Sequence, residues 1–295
     1  MFLKKKILKT LLRVKLTSPV AGPVVNDQPS EPPITLGEYV SPWVDCQYGP
    51  PDDRQTGESR MILTVRPDPV DLEITGTARL HYEAKLYLRD KNALPPLPVV
   101  EVGEVQSYRL SKATEMIPRS PRTIQTMPWV QQFLQPDDGL PQDGTLMDMA
   151  FLLQALYSPN GMAAAAPTLS QAFHARDCLQ NDSLVYIKLV YIQPTFQGQR
   201  LGRTLFDSFY HCLRRLPEFY ACGDKTTLIL QPGHPGGAQG AGYAGMTRAA
   251  VIAQLIPIYQ ALGFTVYRSR QYLDPDTNLP DGDPVTAMGR QLPLE

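Results

Sequence analysis

Cysteine, net charge and long apolar runs are all scarce in this chain, and each scarcity removes a class of function. Cysteine occurs four times in 295 residues, as Cys46, Cys178, Cys212 and Cys222. No Cys-x-x-Cys is present, and no Cys/His group has zinc-ligand spacing, so no metal site is expected. Free thiols in a reducing, intracellular compartment are the expectation, with the cytoplasm as the plain location. The formal net charge is −1, which gives no electrostatic ground for a nucleic-acid partner. No apolar run approaches the roughly 18 residues that a membrane-crossing helix requires, so no membrane span is expected. His211 and His234 belong to no recognisable Ser or Cys nucleophile motif, so hydrolase chemistry has no support.

Acids are missing from one whole stretch. Met1 to Asn26 carries six bases (Lys4, Lys5, Lys6, Lys9, Arg13 and Lys15) and no Asp or Glu. A basic, amphipathic start is compatible with a mitochondrial presequence. A solvated basic tail is the alternative reading. Proline, by contrast, is abundant, and eight of the 29 prolines fall between Pro19 and Pro51. Together these features predict a disordered basic and proline-rich extension over residues 1–57, followed by one domain over residues 58–295. Apolar residues make up 43% of the chain, enough for a sizeable core.

The nucleotide-binding signatures are absent too. No Lys-Ser or Lys-Thr follows Gly202, which excludes a P-loop. Gly198 and Gly202 are four apart with no Gly-x-Gly-x-x-Gly, which excludes the dinucleotide fingerprint. What is there is a β-rich run, Leu184 to Gln193, stopped by Pro194, then a loop with two glycines, then a helical segment from Arg203 to Leu216. Strand, glycine-bearing loop and helix N-terminus together make a phosphate-binding device, because loop N–H groups converge and the helix dipole adds about half a positive charge.

Gln197-Gly198-Gln199-Arg200-Leu201-Gly202 resembles the acyl-CoA-binding motif of the GCN5-related N-acetyltransferases, Gln/Arg-x-x-Gly-x-Gly/Ala. Arg200 stands where the middle glycine is usual. A second match lies downstream, where Tyr259-Gln260-Ala261-Leu262-Gly263-Phe264 is similar to the family's helix-ending Tyr-x-x-x-Gly-Phe. Gly263 suits a left-handed helix end, and Phe264 to Tyr267 reads as a strand. Between the motifs, Thr226 to Leu230 reads as a short buried strand. The resemblance covers about the last 110 residues. It implies an α/β fold with a mixed, mostly antiparallel sheet, flanking helices and one parallel strand pair that splays apart at Ile192.

It also implies roles. The Ile192 N–H would face the acyl oxygen, and the Val190 and Ile192 backbones would pair with the pantetheine arm. The loop amides of Gly198, Gln199, Arg200, Leu201, Gly202 and Arg203 would hold the pyrophosphate, and Gln197 is a further cofactor-binding residue. Tyr259 would protonate the leaving thiol, although, taken without the motif, it reads as a core tyrosine. The implied activity is acyl transfer from acetyl-CoA or another acyl-CoA to an amine, on a small molecule or a protein. A non-catalytic member that binds CoA or serves as an interaction module is the alternative. The general base is not assignable from sequence: Lys188 sits where the family often carries Glu, and His81, Glu83 and Glu104 are the candidates on earlier strands. Ile252 stands where the family usually has Asn.

Elsewhere, residues 60–66, 72–89 and 99–110 read as strands, the second from its alternation of Leu80, Tyr82, Ala84, Leu86 and Leu88 with charged residues. Residues 111–183 read as a helical insertion, with a helix over 145–157 and another over 168–178. It either covers the acceptor side of the cleft or packs on the sheet. Residues 231–245, glycine-rich, read as a mobile loop. Thr247 is expected to cap a helix running to Leu262, which Pro257 should kink or split.

Overall fold

The computed structural model describes residues 35–50, 52–67, 79–91, 98–111, 129, 133–134, 144–159, 161–163, 175, 177–181, 183–217, 220–233, 243, 245–270 and 285–293. The chain divides into two units, Met1–Pro33 and Ile34–Glu295, and every described residue lies in the second. The expected basic start, residues 68–78 and most of the 231–245 loop fall outside the described residues.

Alternating sequence makes the first half of the sheet. In β3 (Gln55–Pro67), Met61, Leu63 and Val65 are wholly buried, while the residues between them are half-buried. β4 (Arg79–Asp90) repeats the pattern, with Tyr82, Ala84 and Leu86 inward, and β5 (Val99–Ser111) follows with Val105, while Val102 joins the same core through a bulge in the β4–β5 register. A period of two puts every second side chain on one face, so the register is fixed by which face is buried. The three strands pair antiparallel in sequence order.

β6 (Ser183–Ile192) and β7 (Thr226–Leu230) have no alternation, because both of their faces are covered. Val185 and Ile187 join one core, Leu184 and Tyr186 the other. The two strands are parallel neighbours, as the strand-loop-helix-strand order predicts. β8 (Thr265–Arg270) and β9 (Val285–Gln291) complete the sheet, with β9 inserted between β7 and β8. Among the described residues the sheet has nine strands, β1 being Gly37–Val40 and β2 Val44–Tyr48, in the order β1-β3-β4-β5-β6-β7-β9-β8, with β2 also on β3. It is mixed, mostly antiparallel and open, and the fold is α/β.

Two of those strands correct the expected extension. β1 (Gly37–Val40) and β2 (Val44–Tyr48) pair antiparallel with the two halves of β3, inside the stretch read as disordered. At four and five residues they carry little local signal, and their backbone groups are satisfied by β3 rather than by one another. The domain therefore begins well before residue 58.

Helices cover both faces. α1 (Gly144–Leu156) lies in the insertion and buries Met149, Leu152, Leu153 and Leu156 with Leu184, Tyr186, Ile229 and Ala287 of the sheet. This helix packs on the sheet. In the second expected insertion helix, residue 175 and residues 177–179 are helical and the remainder is outside the described residues. α2 (Leu201–Arg215) begins two residues earlier than read from sequence. It turns Leu205, Phe206, Phe209, Cys212 and Leu213 onto the opposite face, against β3. Burying each such side chain is worth about 1.5–3 kcal/mol, so this face dominates the helix's stability.

α3 (Arg248–Ala261) is capped as expected, the Thr247 hydroxyl accepting from the Ala250 N–H at 3.3 Å. Pro257 does not split it: one continuous helix runs through that position. The carbonyl one turn back belongs to Ala253, which is exposed, so water replaces the bond that proline cannot donate. Gly263 ends the helix at φ +86, the left-handed geometry its position demands.

Candidate acyl-transfer cleft

The cleft begins where β6 stops pairing with β7. Parallel pairing runs from Ser183↔Thr226 to Ile187↔Leu230 and ends there, while β6 continues to Ile192. On its other side β6 stays with β5 to the end, but the register slips: Ser107 faces Ile187 and Gln106 faces Leu189. Lys188 is the extra residue of that bulge. An extra residue bends its strand. Pairing with β7 thus ends at Ile187, where β7 itself stops at Leu230, five residues before Ile192.

Two further contacts hold the last turn of β6 on β5. The Gln193 N–H donates to the Val102 carbonyl at 2.9 Å. Gly103 lets Ile192 come close, since a Cβ there would stand 2.7 Å from Ile192 Cδ1 and 2.6 Å from the Tyr191 carbonyl oxygen. Val190 and Ile192 turn their side chains onto the core that α2 covers. Past Ile187, no described strand pairs with the side of β6 that faces β7.

The loop that follows is braced from within. Pro194–Phe196 forms a 3-10 turn. The Gln197 side-chain amide donates to the Ile192 carbonyl at 3.0 Å, and that of Gln199 to the Thr195 carbonyl at 2.8 Å. These two glutamines, both read from sequence as cofactor-binding, brace the loop with their side chains. Gly198 and Arg200 are left-handed, at φ +76 and +63. Arg200 is the only non-glycine residue with positive φ among the described residues. A Cβ on Gly198 or Gly202 would meet nothing within 4 Å, so open space lies beside the loop.

Helix α2 leaves its N-terminus available. Arg200 occupies the cap position without a side-chain cap bond, and the first turn holds no acid. The first N–H groups of a helix have no intrahelical partner, and the dipole favours an anion there. Leu201 points into the core, so only its backbone can serve a ligand. Arg203 is exposed and lies 3.9 Å from Asp207 on the next turn.

Tyr259 stands on α3 against the same core. Its ring meets Phe206 of α2 edge-on at 6.5 Å and Phe264 at 6.0 Å. Burial, with Tyr243 adding a smaller push, lifts its hydroxyl to about 12, so it is a neutral proton holder at physiological pH. The helix end that carries it is fastened by Arg290 of β9, a residue the sequence did not single out. Its guanidinium donates to the Leu262 carbonyl and lies over the Tyr210 ring, 4.9 Å from the centroid. Only folding brings it there, since Arg290 lies 31 positions after Tyr259 in sequence.

Each of the three candidate bases already has partners. Glu83 pairs with Arg66 at 3.0 Å and reaches Lys85 at 3.8 Å. His81 stacks on Tyr108, ring centres 4.7 Å apart and 17° from parallel. Glu104 pairs in register with Tyr191, next to the Gly103–Ile192 approach. It is half-buried, and burial raises its carboxyl above the usual range, with Glu101 adding to that and Lys85 opposing it. It is the candidate nearest the end of β6 along the register.

The cysteines offer no nucleophile: burial pushes Cys212 up to about 12 and Cys222 to about 11. Among the described residues no group of three His, Cys, Asp or Glu could hold a metal, and no helix is long and apolar enough to cross a membrane. No protein-family model matches the chain, and no curated protein matches it in sequence.

Proposed function

We propose that the chain is an acyl-CoA-dependent N-acyltransferase of the GCN5-related type, moving an acyl group, acetyl in the simplest case, directly to an amine. The observation that carries the reading is the parallel pair β6–β7, whose pairing ends at Ile187 while β6 runs on through the Lys188 bulge to a left-handed loop and an uncapped helix. An unpaired strand edge accepts an extended amide chain as an added strand. Free helix N–H groups accept phosphate. One ligand that offers both at the right spacing is an acyl-pantetheine nucleotide, and the open space beside Gly198 and Gly202 fits it.

In this reading the coenzyme supplies the activated thioester. The backbone of Val190 and Ile192 aligns the pantetheine amides, with the Ile192 N–H at the acyl oxygen. The amides from Gly198 to Arg203 hold the pyrophosphate. Glu104 takes the proton from the acceptor ammonium, and Tyr259 holds the proton for the leaving sulfur. The acceptor is an amine of a small molecule or a protein, and the setting is intracellular.

A second reading, a non-catalytic CoA-binding or interaction module, is favoured by Arg200, which places a strained, bulky residue where the motif has glycine. One titration separates the two. Acetyl-CoA added to millimolar levels raises the melting temperature if the cleft binds it. Thiol release with a panel of amines then marks catalysis. A shift without release across the panel favours the module, and the absence of any shift overturns both.

A further inference from the structure

Beside the phosphate loop lies a shallow recess, half-open to solvent, that the sequence did not foreshadow. Gln47, Tyr48, Gly49 and Arg54 line it from the turn joining β2 to β3, and Arg200 lines it from the loop before α2. The chain brings these together because β3 packs on α2, so the turn entering β3 lies beside the start of that helix. Two arginines, 146 positions apart in sequence, thus share one concavity.

Their charge is not spent within the protein. None of the residues lining the recess is acidic. Among the described residues neither Arg54 nor Arg200 has an ion-pair partner, whereas Arg66, Arg89, Arg203 and Arg214 all do. The turn is also tight: Gly49 adopts φ +98, and a Cβ there would fall 2.4 Å from the Asp53 carbonyl oxygen. Both arginines are exposed with their guanidiniums unpaired, and a dianion with several acceptor oxygens matches both planar forks.

We propose that this recess binds a phosphomonoester, with Arg54 and Arg200 as its cations. Resting on the function proposed above, that group is the ribose phosphate of the acyl-CoA, a second phosphate distinct from the pyrophosphate at the loop amides. This assigns a purpose to Arg200 at the glycine position: its guanidinium adds an ionic contact that a glycine lacks. It also gives the β2–β3 turn a part in ligand binding.

Calorimetry on the full chain tests the proposal with three probes: coenzyme A, dephospho-coenzyme A, which lacks only the ribose phosphate, and adenosine 3′,5′-bisphosphate. The wild type should bind coenzyme A about tenfold or more tighter than the dephospho form, the scale of one charge-assisted contact. Arg54→Gln and Arg54→Glu, checked for an unchanged melting temperature, should erase that difference without weakening the dephospho form. The preference should also shrink as salt rises. Equal binding of the two coenzymes by the wild type overturns the recess and leaves the acyltransferase reading standing. So does an equal loss for both ligands in the variants. Binding of the bisphosphate alone, lost in Arg54→Glu, keeps the recess and overturns the acyltransferase reading. Binding of none of the three overturns both.

Discussion

Gly103 of β5 and Ile192 of β6 approach so closely that no side chain fits between them, a Cβ on Gly103 lying 2.7 Å from Ile192 Cδ1. The same Cβ would press the Tyr191 carbonyl oxygen at 2.6 Å. The glycine is thus what allows β6 to follow β5 to its end while leaving β7. Gly103→Ala should destabilise the protein by about 1–3 kcal/mol, the cost of overpacking a filled site. It should also lower acyl transfer by displacing the Ile192 backbone. Urea denaturation and a turnover assay check the two effects. A variant with unchanged stability would show that β6 moves freely at this point.

Tyr259→Phe and Gly202→Glu separate chemistry from binding. The first removes only a hydroxyl from a ring held by Phe206 and Phe264. Turnover should fall by roughly 10²–10⁴, the range for a general acid, with coenzyme affinity nearly unchanged. The second places a negative charge at the helix N-terminus where phosphate is expected, and coenzyme affinity should fall instead. Full turnover in Tyr259→Phe at saturating acceptor would make the tyrosine a packing residue.

What the sequence disclosed and what it hid divide along a physical line. The alternation in β4, the apolar face of α2, the Thr247 cap and the Gly263 stop are local, set by period or by a backbone angle, and all four are present in the fold. β1 and β2 are strands only because β3 offers edges to pair with, and proline-rich composition masked them. The bulge at Lys188 is a mismatch between two strands, invisible in either alone. Arg54 beside Arg200 and Arg290 beneath the α3 end are long-range meetings. The motif segments were therefore legible in the sequence, but the contacts that brace them were not.

Arg200→Gly tests the strained cap. A left-handed conformation costs a side-chain-bearing residue about 1–2 kcal/mol, and glycine's greater freedom in the unfolded chain returns about 0.5–1 kcal/mol of that. The variant should be as stable as the wild type or slightly more so in urea melts. Coenzyme affinity should nevertheless drop, because a guanidinium is lost from the recess. Tighter binding in Arg200→Gly would mean that the arginine obstructs the loop, and would favour the non-catalytic module.

Glu104 makes the pH dependence specific. Lys85 and Glu83 face it from β4, Glu101 lies along its own strand, and Tyr191 pairs with it from β6. Because burial raises its folded-state pKa, the folded protein holds the Glu104 proton more tightly than the unfolded chain does. Stability from this group is therefore present at low pH and is lost as pH rises from the ordinary carboxylate range through the raised value. Glu104→Gln carries no such charge, so its melting temperature should gain on the wild type across that same window. Its turnover should fall by roughly 10²–10⁴ and lose the rising limb that Glu104 ionisation gives the wild-type profile. Thermal melts and turnover measured across a pH series read both. A rate profile of unchanged shape in Glu104→Gln would show that the acceptor proton leaves by another route.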